Sequence, residues 1–326
     1  MTLEKYNWLF EIYQKINFDK LPHGIIINGS NGIGKKLLAN EIAAKLLINK
    51  STNSLDRDLI ESNSHPDLFI VDKDKIILRH ITFRKSQKKE DWDEELGERN
   101  VNNFLSMSSS ISLNKVVILF NAETMNPQSQ AAILKTLEEP SPNSYIIFTT
   151  NRPKSLFETI YSRCQVINIP NLTESSLNDW LSKNGISDLN SNHFPSFISP
   201  LNILEDIQND KHSSFKNFVF IISDYIENKL DTNLAIKNIS NLEIDFITKT
   251  NYLIEFLKIL LKSNLLSEEL SGLYKKFNSS KFNNLKISNL INELNDVRYK
   301  YFSVPQINET HVLNYFFSEL KNSIKI

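Results

Sequence analysis

The chain has 326 residues, of which 40% are hydrophobic and 23% charged, a composition typical of a soluble protein of two or three domains. A formal net charge of −1 argues against a generally basic surface, so any contact with nucleic acid is expected to be local. The single cysteine, Cys164, excludes an internal disulfide and a zinc site built from several thiolates, and it favours a reducing cytoplasm. We expect neither export nor a membrane anchor, because no stretch of membrane-spanning length is free of charge.

The first predicted elements surround a glycine-rich loop. An amphipathic helix is predicted within residues 1–24, the run Ile25-Ile26-Ile27 predicts a buried parallel strand, and a helix is predicted over residues 36–47. Between strand and helix lies the sequence Gly-Ser-Asn-Gly-Ile-Gly-Lys-Lys, with the spacing of a loop that wraps the phosphates of a nucleotide. The candidate nucleotide- or phosphate-binding residues of this loop are Gly29, Asn31, Gly32, Gly34 and Lys35.

The last residue of the loop departs from the pattern of active enzymes. The eighth position of a phosphate loop carries a hydroxyl that binds Mg²⁺, and here it is Lys36. An ammonium group cannot ligate a metal and competes with one electrostatically. The loop is therefore interpreted as one that has lost its catalysis.

Further strands and a charged insertion follow. His65-Pro66-Asp67 precedes a second buried strand at residues 68–71, and His65 is expected to make a local hydrogen bond there rather than to act as a base or a ligand. Residues 79–89 are basic and residues 90–98 acidic. A nucleic-acid-binding patch is one interpretation, but the pattern favours a solvated insertion whose two halves pair with each other. The next helix is predicted to bury Val101, Phe104, Leu105 and Met107.

The third strand, residues 116–120, ends without the acidic pair that holds magnesium in phosphate-loop ATPases. Phe120 and Asn121 stand there, and Glu123 lies beyond the strand end. A helix from Pro127 to Glu138, a fourth strand at residues 145–150 and a fifth at residues 166–169 complete an α/β pattern.

Beyond Pro170 the pattern becomes helical, and strand patterns disappear. We expect a phosphate-loop domain over residues 1–170, a small helical lid over 171–213 and a helical collar, used for oligomerisation, over 214–326.

Two motifs carry a specific resemblance. The string Ala131-Ala132-Ile133-Leu134-Lys135-Thr136-Leu137-Glu138-Glu139-Pro140, with Ser162-Arg163-Cys164 further on, strongly resembles the AAA+ subunits of bacterial clamp loaders. The resemblance covers the first half of the chain in detail. It implies an AAA+ phosphate-loop domain with a parallel sheet, followed by a helical lid and an all-helical collar.

The resemblance also implies roles for single residues. The family places the arginine of its Ser-Arg-Cys motif, here Arg163, at the edge of the subunit, where it faces the nucleotide of a neighbour. Asn151 matches a sensor position after the fourth strand, and no sensor arginine is found around residues 199–202. Arg163 has a plainer alternative, an ion pair with Glu138 or Glu139. Cys164 is interpreted as core packing rather than as a nucleophile.

The implied function is that of a stator-like subunit that is non-hydrolysing or only weakly nucleotide-binding. It supplies Arg163 in trans while the ring loads a sliding clamp onto primed DNA. The implied partners are the gamma and tau motor subunits, the delta subunit and, indirectly, the clamp, within the cytoplasmic replisome. No cofactor or zinc is required, although ATP, ADP or phosphate can bind without hydrolysis. Two alternatives stay open: an active AAA+ ATPase of the motor or helicase-loader type, and a helical scaffold whose loop holds a structural ligand.

Overall fold

The computed structural model describes residues 3–48, 54–83, 93–186, 188–189, 191–208, 213–270, 272–279, 281–301 and 308–325. Its contacts divide the chain into two units, and the boundary falls between Thr173 and Glu174. The finer division into residues 1–170, 171–213 and 214–326 stays a prediction.

The first unit is built around a parallel sheet. Its strands are β1 (Gly24–Asn28), β2 (Leu68–Val71), β3 (Lys115–Leu119), β4 (Ser144–Thr150) and β5 (Cys164–Asn168). They pair in the order β2-β3-β4-β1-β5, and every pairing is parallel. All residues of β1 and β3 are buried, as expected where helices cover both faces of a sheet.

Helices connect these strands. They are α1 (Asn7–Gln14), α2 (Lys35–Leu47), α3 (Ser54–Glu61), α4 (Leu78–Ile81), α5 (Val101–Ser106), α6 (Pro127–Glu138) and α7 (Glu158–Tyr161), with 3₁₀ turns at Leu3–Lys5, Phe18–Lys20 and Ala122–Thr124. The Asn126 side chain caps α6 by accepting from the Ser129 N–H at 2.8 Å, and Pro127 occupies the first helical position. The predicted α/β architecture is confirmed.

The topology fixes where the functional segments lie. Because the strands are parallel, the segments that follow β1, β2, β3 and β4 emerge at one edge of the sheet, at the carboxyl ends of the strands. The glycine loop, Asp72, Phe120 and Asn151 are all in such segments. Arg163 instead precedes β5, at the amino end of a strand on the margin of the sheet.

The second unit is mainly helical. It contains α8 (Glu174–Lys183), α9 (Pro200–Gln208), α10 (Ser213–Ile226), α11 (Thr232–Ser240), α12 (Phe246–Leu266), α13 (Asn284–Lys300) and α14 (Glu309–Ser323), with 3₁₀ turns at Ser191–His193 and Gly272–Ser279. Its core is aromatic: the ring of Tyr252 lies 4.9 Å from that of Phe215 and 5.5 Å from that of Phe218, both edge-on. In the part of the chain that is described, no helix is both long and apolar enough to traverse a bilayer.

The expectation that strands are absent after Pro170 was wrong in one detail. Two short strands, β6 (Lys281–Phe282) and β7 (Ile324–Lys325), pair antiparallel within the second unit. A two-residue strand is too short to show a period in the sequence, so only the tertiary structure reveals the pair.

The prediction for Met107 was also wrong. Helix α5 ends at Ser106, and the Met107 side chain is 64% exposed. The chain leaves the helix because the buried Asp67 carboxylate accepts three backbone N–H bonds from the following loop, from Ser110 at 2.6 Å, Ile111 at 2.9 Å and Ser112 at 2.8 Å. A carboxylate that binds a loop in this way overrides helical propensity.

The His65-Pro66-Asp67 motif, which contains Asp67, also forms hydrogen bonds through the His65 ring. The buried His65 ring accepts a hydrogen bond at Nδ1 from the Asp67 N–H at 3.1 Å, and its Nε2 lies 3.3 Å from the Ser112 hydroxyl. The predicted local hydrogen bond of His65 is confirmed. The motif therefore serves to fix the loop before β3.

The charged insertion is described at both of its ends, while residues 84–92 lie outside the described residues. The Asp93 carboxylate lies 2.9 Å from the Lys73 ammonium, 3.2 Å from His80 Nε2 and 3.8 Å from the Arg79 guanidinium. Burial opposes ionisation of Asp93, but the bond from Lys73 and two backbone N–H groups outweigh it, so its pKa lies well below the usual range. The predicted pairing between the halves is confirmed for Arg79 and Asp93.

Candidate functional site

The glycine loop is packed so closely that two of its glycines are obligatory. A Cβ on Gly29 would lie 2.8 Å from the Ile33 side chain. Gly34 has a φ of +104°, and a Cβ there would lie 2.5 Å from a methyl group of Leu9 on α1. The indole N–H of Trp8 donates to the Ile33 carbonyl at 3.0 Å. Helix α1 therefore packs against the loop through Trp8 and Leu9. The glycines allow the tight backbone turn that connects β1 to α2.

Lys35, the candidate phosphate-binding lysine, is turned back onto its own loop. Its buried ammonium donates to the carbonyl oxygens of Gly29 at 2.9 Å and Ser30 at 2.8 Å. Burial lowers the pKa of Lys35, and the carboxylate of Glu123 partly opposes that shift. To bind a phosphate, the ammonium would have to exchange these two carbonyl bonds for bonds to the anion.

The sensor-like residue meets the loop directly. The Asn151 side-chain amide, after β4, donates to the Asn31 side-chain oxygen at 2.7 Å. The structure thus brings together the loop residues predicted from the sequence and Asn151, which is 120 positions away.

The Lys36 side chain contacts an acid and an aromatic ring at the carboxyl ends of the strands. Its ammonium lies 2.5 Å from an oxygen of Asp72, directly after β2, and 4.8 Å from the centre of the Phe120 ring. In an active loop of this kind the eighth residue and the acids at the end of β3 hold Mg²⁺. Here the same positions carry a cation and an aromatic ring. The fixed positive charge of Lys36 repels a divalent ion, and Phe120 offers it no oxygen.

Asp72 and Glu123 are the acidic residues of this edge that matter most, and the sequence did not identify either role. The signal for Asp72 was its place directly after a buried strand. Asn121, with a φ of +52°, donates its N–H to the Thr149 hydroxyl at 3.2 Å and turns the chain into the 3₁₀ segment that carries Glu123. One Glu123 oxygen is buried there, and among the described residues it has no hydrogen-bond partner. Within the residues that the structure describes, no group of three or more His, Cys, Asp or Glu side chains is placed to hold a metal ion.

Arg163 lies at the other end of the sheet. Cys164 pairs with Gly24, the first residue of β1, whereas the glycine loop follows the last residue of that strand. Five residues of strand therefore separate Arg163 from the loop, roughly 16 Å at 3.3 Å per residue. The orientation of Arg163 towards a neighbour's nucleotide, which the resemblance implies, stays a prediction.

The guanidinium of Arg163 is held by three groups of its own chain. Nη2 lies 2.8 Å from an oxygen of Glu138, and Nη1 donates to the Thr159 carbonyl at 2.9 Å and the Ser162 hydroxyl at 3.2 Å. The ion pair with Glu138 is the plainer alternative that the sequence left open. The side chains of Arg163 and Glu138 are 35% and 50% exposed, so the guanidinium stays accessible from solvent.

The two motifs that carry the resemblance meet at Gly24. A Cβ on Gly24 would lie 2.5 Å from the Cys164 sulfur, 3.0 Å from the Leu137 side chain and 3.3 Å from the Arg163 carbonyl. Burial raises the pKa of the Cys164 thiol to about 12, which keeps it protonated and unreactive. Packing around Gly24 therefore sets the end of α6 against the start of β5.

A glycine loop after the first strand of a parallel sheet, in a unit that is followed along the chain by a mainly helical one, is the architecture of the AAA+ class. The chain has the fold of a DNA polymerase III gamma subunit-related protein from Thermotoga maritima, with a TM-score of 0.50 over 97% of this chain and 99% of that one, at 14% identity. A family model described as DNA polymerase III, delta subunit, matches residues 6–173, and the chain belongs to that family.

Relatives of known name agree with this assignment. A protein from Haemophilus influenzae named DNA polymerase III subunit delta' is 30% identical over 66% of this chain and 65% of its own length. A subunit of the same name from Buchnera aphidicola subsp. Schizaphis graminum is 26% identical over 94% of each chain. The match to the Haemophilus protein thus spans just under two thirds of that relative. The resemblance to clamp-loader subunits is confirmed, and within that group it is to the delta-prime subunit.

Proposed function

We propose that this chain is a clamp-loader subunit that does not turn over ATP itself and supplies Arg163 to the ATP held by a neighbouring motor subunit. The observation that carries the proposal is the location of Arg163, at the margin of the sheet and a strand length from its own glycine loop. An arginine so placed cannot serve the loop of its own chain. It can neutralise charge on the γ phosphate of a neighbour, a contribution of about a thousandfold or more in comparable enzymes.

The contacts around Lys36 support the absence of hydrolysis. Magnesium normally bridges the phosphates and offsets the charge that develops during transfer. Lys36 and Phe120 occupy the positions at which active loops carry a hydroxyl and an acid for that ion, and Lys35 is bonded to its own loop. Nucleotide or phosphate can still be held as a structural ligand without being cleaved.

The proposed partners follow from the role. The gamma and tau motor subunits would hold the ATP that Arg163 meets, and the delta subunit would complete the ring. The sliding clamp would be an indirect partner, and primed DNA would be contacted through its phosphates, without sequence preference and with a strong dependence on salt. The site of action would be the replisome in the cytoplasm, and the helices after residue 213 would form the oligomerising collar.

The test is the Arg163→Ala variant in a reconstituted complex with the motor and delta subunits. We expect the motor site that Arg163 faces to lose turnover by about a thousandfold, with loss of clamp loading measured by clamp transfer to primed DNA. Arg57→Ala is the matched control, because Arg57 is similarly exposed and also pairs with a glutamate, Glu41, at 3.0 Å. Normal DNA-stimulated turnover and clamp loading with Arg163→Ala would refute the role in trans.

Two observations favour a second candidate, an active ATPase of the motor or helicase-loader type. Lys35 is present, and the Asn31–Asn151 contact joins the sensor-like residue to the loop. Phosphate release by the isolated chain distinguishes the two. A substantial rate that Lys35→Ala abolishes would favour the active enzyme. Absence of turnover, with retention of the chain in a complex with the motor and delta subunits, would favour the first proposal.

A further inference from the structure

Glu138 is the last residue of α6, an unfavourable place for a carboxylate. The carbonyl groups at a helix C-terminus carry partial negative charge, so an acid there is repelled unless a cation compensates it. Arg163 provides that cation at 2.8 Å. Glu139, the next residue along, makes no ion pair with Arg163 in the described part of the chain. The placement of Glu138 is thus matched to Arg163 specifically.

The two sides of the guanidinium are held differently. Nη1 is bonded to the Thr159 carbonyl and the Ser162 hydroxyl, neighbours from its own turn, and these bonds need not break when a ligand arrives. Nη2 is held by the Glu138 carboxylate, an anion with the same geometry of contact that a phosphate oxygen offers. A phosphate oxygen that approaches Nη2 therefore meets a group already occupied by an anion.

We propose that Glu138 is a positioning residue for Arg163. The Glu138 carboxylate holds Nη2 of Arg163 in the free subunit and gives up this contact when a phosphate oxygen of the neighbour's nucleotide binds Nη2. This inference rests on the proposed function of Arg163. Both side chains are partly exposed, and ion pairs of this kind are weak, so the exchange is easy. The carboxylate competes with the phosphate, which sets how readily the subunit engages the motor site without changing the rate once it is engaged.

The test is a titration of the subunit into a limiting amount of motor and delta subunits, with ATP turnover on primed DNA as the readout. With Glu138→Gln, which keeps the size of the side chain and removes its charge, the concentration for half-maximal turnover should fall two- to fivefold, while maximal turnover stays within about twofold. The difference in half-maximal concentration between wild type and Glu138→Gln should vanish at high salt, because salt screens exposed charges. Glu139→Gln is the matched control and should behave as the wild type.

A combined variant separates this role from a structural one. In an Arg163→Ala background, Glu138→Gln should have no further effect, because the competition acts only through the guanidinium. A shift that persists in that background, a shift of the same size with Glu139→Gln, or wild-type behaviour of Glu138→Gln would overturn the inference. If Arg163→Ala alone has normal turnover, the proposed function fails as well. If Arg163→Ala is impaired and Glu138→Gln is not, only the role of Glu138 fails.

Discussion

At the scale of single residues, Lys36 places a cation where an active phosphate loop carries a hydroxyl. Its ammonium is bound by Asp72 and lies over the Phe120 ring, so a cation occupies the region between the loop and the end of β3. Lys36 and Asp72 are about half exposed, so their pair adds little to folding stability. Its effect is on what the loop can bind.

We expect Lys36→Thr, which supplies the hydroxyl of an active loop, to leave the isolated chain without ATP turnover. The end of β3 still has Phe120 and Asn121 where acids would hold the metal and polarise water. The measurement is phosphate release with Mg²⁺ present, and thermal unfolding should change by less than about 1 kcal/mol. Turnover that appears in this variant and disappears with an added Lys35→Ala would show that Lys36 alone silences the site.

Asp67 acts on folding rather than on the site. Burial raises the pKa of its carboxyl, but the three N–H bonds from Ser110, Ile111 and Ser112 outweigh burial, and the net pKa is lowered. A carboxyl with a lower pKa in the folded state stabilises the fold at pH values above its unfolded pKa, near 3.9. That stability is lost as the pH falls through the folded value.

We therefore expect Asp67→Asn to lower the free energy of unfolding by about 2–3 kcal/mol at pH 7, since an amide cannot accept all three bonds. The difference between wild type and variant should shrink below about pH 4, where the Asp67 carboxyl of the unfolded chain begins to be protonated while that of the folded chain is still ionised. Denaturant unfolding at pH 7 and pH 3.5 measures both effects. The exposed Asp58→Asn serves as the control, and an equal loss at the two pH values would contradict the role of the charge.

At the scale of elements, the end of α6 and the start of β5 form one structural unit around Gly24. The Cys164 sulfur, the Leu137 side chain and the Arg163 carbonyl all crowd the space that a Cβ of Gly24 would need. Parallel pairing of β1 with β5 places these groups in register. The orientation of Arg163 therefore depends on how closely β1, β5 and the end of α6 pack together at Gly24.

The prediction at this scale is that Gly24→Ala destabilises the first unit by about 1–3 kcal/mol through overpacking. Adding Cys164→Ala removes the atom at 2.5 Å and should restore part of the lost stability. Denaturant unfolding of wild type, both single variants and the double variant gives the coupling between them. Strict additivity of the two changes would mean that the Cys164 sulfur is not the source of the strain.

At the scale of the whole molecule, the chain consists of two units with different cores. The first buries both faces of a parallel sheet, and the second buries aromatic rings between helices, with the Tyr225 hydroxyl donating to the Phe317 carbonyl at 3.0 Å. Each core is assembled from residues of its own unit. The units can therefore differ in stability and in the surfaces they offer to partners.

We expect a fragment that ends at Thr173 to fold by itself, because its sheet and covering helices are complete. Far-ultraviolet circular dichroism should show mixed helix and strand, and denaturant should unfold the fragment in one cooperative transition. The fragment from Glu174 onward should give a separate, mainly helical transition. A fragment of the first unit that unfolds without cooperativity would show that it needs the second for its stability.

The five strands of the parallel sheet, the glycine loop and its missing hydroxyl can all be read from the sequence alone, because buried strands are continuous apolar runs and the loop depends on local glycines. The sequence also shows that Phe120 and Asn121, rather than an acidic pair, follow β3 directly. Only the tertiary structure decided that Asp72 binds Lys36, that Asn151 meets Asn31 and that Glu138 pairs with Arg163. These pairs join residues 25 to 120 positions apart, and strand order and register, rather than any local pattern, determine which of them meet.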